Sequence, residues 1–101
     1  MNLGLAERDL KFLYQAIKEF PEIEEVIMFG SRAKGNFKEG SDVDLAIKGI
    51  NITSSTVLRL SYKLNEELPI PFFFDIVDYR KISNPELIEH INRVGKIIYP
   101  E

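Results

Sequence analysis

Apolar and polar positions alternate along this chain in two rhythms. Ala6, Leu10, Leu13, Tyr14 and Ile17 recur at helical spacing, which predicts an amphipathic helix over roughly residues 5–19, stopped by Pro21. Val26-Ile27-Met28-Phe29 is a short apolar run that reads as a buried strand closed by Gly30-Ser31. Ser31 is placed to cap a short helix beginning at Arg32, and Gly35, Asn36 and Gly40 mark the loop beyond it. A second strand over about 42–48 is polar at Asp42 and Asp44 and apolar at Val43, Leu45 and Ile47, so the aspartates fall on an exposed face.

Thr53 and Ser54 then offer caps to a helix carrying Val57, Leu60, Leu64 and Leu68 on one side, ended by Pro69 and Pro71. Phe72 to Val77 reads as a third strand, with Pro71 tolerable at its start. Asn84-Pro85 opens a last helix bearing Leu87, Ile88, Ile91 and Val94, which Gly95 ends. Ile97-Ile98-Tyr99 adds a short edge strand. The order predicts a short sheet packed with helices, an α/β or α+β fold.

Chemistry concentrates between Gly30 and Asp44. In a strand, side chains two apart share a face, so Asp42 and Asp44 stand roughly 6 to 7 Å apart. Two anions at that separation repel unless a cation lies between them, and Mg²⁺ takes one or two carboxylates plus phosphate oxygens. Gly30 lets a backbone approach a triphosphate, and Ser31 offers a hydroxyl and an amide. Taken alone, the pair reads more readily as a turn glycine and a helix cap, because a two-residue motif is weak. Gly30 and Gly35 have the spacing of a P-loop, but Asn36-Phe37 stand where Lys and Ser or Thr are required.

Asp75 interrupts a very apolar run, where a charge is costly unless it is paired or metal-bound. If the third strand lies beside the second, Asp75 joins Asp42 and Asp44 in a two-metal phosphoryl-transfer site. Asp78 is the reserve for that third position, although a regular strand would point it away. Arg32 and Lys34, beside Ser31, are candidates for phosphate oxygens. His90, the only histidine, is expected to be exposed on the last helix and receives no role.

Composition narrows the setting. The 101 residues suit one domain with a modest core, and 45% hydrophobic with 29% charged content is that of an ordinary globular protein. A net charge of −3 gives no general attraction for nucleic acid. The absence of cysteine excludes disulfides and thiolate zinc sites. No apolar stretch approaches the ~20 residues that span a bilayer, and no signal-peptide pattern opens the chain, so the cytoplasm is the expected compartment.

Gly30-Ser31, the ten residues Arg32 to Ser41, and Asp42-Val43-Asp44, followed by Phe74-Asp75-Ile76, resemble the pattern of the polymerase-beta-like nucleotidyltransferase superfamily, and in particular its minimal MNT-type members. The resemblance covers nearly the full chain. It implies transfer of a nucleoside monophosphate, AMP from ATP, with release of pyrophosphate. Asp42 and Asp44 would hold two Mg²⁺ ions, and Asp75 would help hold the one that activates the attacking hydroxyl. Gly30 and Ser31 would seat the β- and γ-phosphates, supported by Arg32 and Lys34.

The chain ends soon after this core, so it is expected to borrow its acceptor surface from a second protein. The resemblance implies a HEPN-domain toxin, adenylylated on a tyrosine, with this chain as the antitoxin. Self-association stays open. Two rivals remain at this level: a module that binds nucleotide or partner and neutralises by contact alone, and an enzyme modifying a small molecule. Three converging carboxylates argue against the first, and the lack of a drug-binding domain against the second.

Overall fold

A computed structural model describes residues 3–100. Helix α1 runs over Glu7–Lys18 and strand β1 over Glu25–Phe29. The short helix α2, Gly30–Lys34, leads through a loop to β2, Val43–Lys48. Helix α3, Ser54–Tyr62, continues into a π-helical turn, Lys63–Glu67, before β3, Phe74–Asp78. A 3₁₀ turn at Tyr79–Lys81, helix α4 over Pro85–Val94, and β4 over Lys96–Tyr99 complete the order.

The starts of α3 and α4 follow their capping residues. The Thr53 hydroxyl accepts from the Thr56 amide while the Thr56 side chain accepts from the Thr53 amide, a reciprocal box that fixes the first turn of α3. Asn84 caps α4 by accepting from the Glu86 amide, with Pro85 in the first turn. One boundary differs from the sequence expectation. Helix α2 begins at Gly30 with Phe29 at its cap, and no side chain caps it, so Ser31 lies inside the helix rather than ahead of it. Gly30 adopts φ +77°, a left-handed conformation that lets the chain turn straight out of β1 into the helix.

The strands form one four-stranded mixed sheet in the order β3-β2-β1-β4. β1 is antiparallel to both β2 and β4, whereas β2 and β3 run parallel, joined by the crossover through α3. Both faces are covered along most of the sheet. Val26, Met28, Val43, Leu45, Ile47, Phe74 and Ile76 face one side and pack with Leu13 and Ile17 of α1 and Leu60 and Leu64 of α3 and its extension. Ile27, Phe29 and Ala46 face the other side beneath Ile91 of α4. The polar face expected for β2 is therefore confined to the end of the strand that carries Asp42 and Asp44. Beyond it, α4 buries Ala46.

Candidate active site

Register decides which acids meet. β2 is a central strand, with Asp44 opposite Phe29 of β1 on one side and opposite Asp75 of β3 on the other. Adjacent strands lie about 4.8 Å apart, and residues on one rung share a face, so Asp44 and Asp75 are direct neighbours. Asp42 is on the same face by period two, just before the strand begins. Asp42 and Asp75 are exposed and Asp44 is half-buried.

Asp78 goes elsewhere. It pairs with Ile47, three rungs along, and its parity places it with Phe74 and Ile76 on the opposite face. There it is 7% exposed and accepts from the Arg80 amide at 3.1 Å, capping the 3₁₀ turn. Among the two acids considered for the third position, the fold brings only Asp75 to the Asp42–Asp44 end.

The electrostatics are those of an uncompensated cluster. The Asp44 carboxyl is held above its ordinary value by its own burial first, then by the charges of Asp75 and Asp42. A cation would relieve this repulsion. Hard carboxylate oxygens are the donor type that Mg²⁺ takes, so the residues fit such an ion. Among the described residues, no group of three or more His, Cys, Asp or Glu side chains is arranged so as to hold a metal ion by itself.

Gly30 stands against this cluster. A Cβ at residue 30 would collide with Oδ2 of Asp44. Its amide donates to Nε2 of His90 at 3.1 Å, sixty positions along the chain, and the His90 ring meets Phe29 edge-on at 6.2 Å. Contrary to the sequence expectation, His90 is half-buried and tied to the turn between β1 and α2. The bond requires a bare Nε2, hence the neutral ring with its proton on Nδ1. No local signal could have announced this contact.

Arg32 is also placed otherwise than a loop charge would be. It is 2% exposed, and its Nε and Nη2 donate to the Ser41 carbonyl at 3.1 and 2.8 Å. Nη1 donates to the Leu3 carbonyl at 2.9 Å, and the guanidinium lies between the rings of Phe37 and Phe72. Bonded through each of its three nitrogens to backbone carbonyls and buried, Arg32 anchors the residue preceding Asp42. Ser31 is half-buried in the first turn of α2, and Lys34 is exposed at its end. A cavity of about 700 Å³ lined by Phe20, Leu58, Tyr62 and Phe73 lies apart, as none of the three aspartates borders it.

Residues 11–101 match the family model described as polymerase beta, nucleotidyltransferase. The chain belongs to the polymerase-beta nucleotidyltransferase family. Solved structures share the fold of this nucleotidyltransferase. A chain of a toxin–antitoxin complex with AMP-PNP superposes with a TM-score of 0.71 at 22% identity, covering 87% of this chain and 70% of that one. A chain of the MntA–HepT toxin–antitoxin complex gives 0.67 at 19% identity, over 91% and 70%. A complex of tri-AMPylated Shewanella oneidensis HEPN toxin with MNT antitoxin gives 0.66 at 19% identity, over 90% and 69%. No curated protein matches.

Proposed function

We propose that this nucleotidyltransferase, residues 1–101 acting as one catalytic domain in the cytoplasm, transfers AMP from ATP to a tyrosine hydroxyl of a HEPN-domain toxin and so serves as its antitoxin. The observation that carries the reading is the rung that sets Asp75 beside Asp44, with Asp42 two positions away on the same face. The toxin–antitoxin nature of the structural neighbours, one with AMP-PNP and one with a tri-AMPylated HEPN toxin, supports the choice of nucleotide and acceptor.

On this reading the tyrosine oxygen attacks the α-phosphorus of ATP, the bond from that phosphorus to the β-phosphate bridge breaks, and pyrophosphate and a proton leave. Bound between the carboxylates, two Mg²⁺ ions would lower the pKa of the attacking hydroxyl and neutralise charge on the phosphates. Asp42 and Asp44 would supply oxygens to both ions, and Asp75 to the one that activates the hydroxyl. Gly30 leaves open the space beside Asp44 that a side chain would fill, and with Ser31 it flanks the β- and γ-phosphates. Lys34 reaches the same anion from the end of α2. Arg32 keeps the Ser41–Asp42 corner in place through its bonds to the Ser41 carbonyl.

Incubation with ATP labelled at the α-phosphate, Mg²⁺ and the HEPN protein should leave label on that protein. Asp75→Asn should abolish the transfer and Asp78→Asn should retain it. A tight complex without label would replace this reading with neutralisation by contact, and label on an added aminoglycoside would replace it with small-molecule modification.

A further inference from the structure

The third carboxylate sits on an edge strand, and the outer rim of that strand is where order is hardest to keep. β3 follows residues 68–73, a segment without regular structure that contains Pro69 and Pro71. Toward the sheet, its entry is held by the Val43 amide donating to the Phe73 carbonyl at 2.8 Å. Away from the sheet no further strand lies beside it among the described residues. There the Asn65 side chain takes the place of one. Its Oδ1 accepts from the Phe74 amide at 2.7 Å, and its Nδ2 donates to the Phe74 carbonyl at 2.9 Å. The orientation is fixed by chemistry, since an amide N–H can only donate and a carbonyl can only accept.

Asn65 is presented by the π-helical turn Lys63–Glu67, where the Leu68 amide reaches back five residues to the Lys63 carbonyl. Such wide turns in otherwise α-helical segments recur at functional positions. Nδ2 also donates to the Ser61 hydroxyl at 3.3 Å, which steadies the amide on its own helix.

We infer that Asn65 is a positioning residue for the nucleotidyltransferase site: by bracketing both polar groups of Phe74, it sets where Asp75 stands relative to Asp44. Phe74 is buried at 1% exposure and immediately precedes Asp75, so a shift of its peptide moves the carboxylate directly. One amide fixing two groups of a single residue blocks sliding along the strand, which one hydrogen bond would permit. The inference rests on Asp75 being a metal-holding residue, as proposed above.

The test is a double-mutant cycle on Mn²⁺ binding, followed by electron paramagnetic resonance in the presence of AMP-PNP. Asn65→Ala should weaken Mn²⁺ binding by about 10-fold or more, the scale on which groups that orient metal ligands act. Asp75→Asn should do the same or worse, and the double variant should bind no more weakly than Asp75→Asn alone. Amide hydrogen exchange at Phe74 should speed up in Asn65→Ala. Asn65→Asp, of equal size, keeps the acceptor for the Phe74 amide and removes the donor, so it repeats the metal effect if Asn65→Ala fails to fold. Mn²⁺ affinity within twofold of the unaltered protein in either folded Asn65 variant, or losses that multiply in the double variant, would overturn the inference and leave Asp75 untouched. Unchanged affinity in Asp75→Asn would overturn the assignment of Asp75 and the inference with it.

Discussion

Replacing Asp44 with Asn should make this protein more stable while removing its activity. Asp44 and Asp75 are opposed on neighbouring strands and Asp42 shares their face, with no Lys or Arg among the causes that act on Asp44. At about 5 Å, two unit charges repel by ~1 kcal/mol in water and ~3 kcal/mol at the effective dielectric of a protein surface. Because Asp75 is exposed and Asp44 only half-buried, the lower figure governs. A gain of about 1 kcal/mol would raise Tm by about 4–8 °C in a domain of this size.

The sign with pH follows from the raised carboxyl of Asp44. Below the unfolded value of about 3.9, folded and unfolded states both hold the proton and the penalty is absent. As pH rises, the unfolded chain ionises first, and the penalty is complete above the folded value. The advantage of Asp44→Asn should therefore be small at acidic pH, grow through this window, and stay level at neutral pH. Thermal melts by circular dichroism without metal would show it. Adding Mg²⁺ and AMP-PNP should close the gap by stabilising the unaltered protein alone. A variant that melts at or below the unaltered protein at neutral pH, or a gap that does not change with pH, would refute the picture of a repulsive, cation-seeking cluster.

Gly30→Ala should cost about 1–3 kcal/mol from the left-handed backbone alone, and more from the collision with Asp44, measured by urea melts. Arg32→Ala should destabilise the fold by about 3 kcal/mol or more, since it strips charged donors from the Leu3 and Ser41 carbonyls, whereas a phosphate contact alone would leave Tm unchanged.

Local signals in this chain were legible and distant ones were not. The alternation that put Asp42 and Asp44 on one face needs only the period of a strand, and Thr53 and Asn84 announce their helices by chemistry within three residues. The mixed sheet with Asp75 beside Asp44 fits the expected α/β order, but the adjacency of β3 and β2 enters the sequence argument only as a condition, and their parallel direction comes from the structure. Arg32 reads as a phosphate candidate from its place beside Ser31, because its stacking partner Phe72 and its acceptor at Leu3 are far along the chain. His90 falls between apolar helix positions, and nothing nearby indicates that its ring meets the Gly30 amide. Asn65, one polar residue beside Leu64, gives no sign of lacing a strand from the side. The boundary of α2 was missed because the left-handed glycine starts the helix, a role usually expected at helix ends.

The wide turn at Lys63–Glu67 also bears on how related chains can vary in length. Removing one residue there would let the segment relax into ordinary α-helix, a change that looks harmless by helix propensity. Each residue of an α-helix turns the next by about 100°, so the deletion would swing Asn65 off the rim of β3. Shortened relatives would then have to recruit another polar group to secure that rim, or tolerate a loosely held third acid.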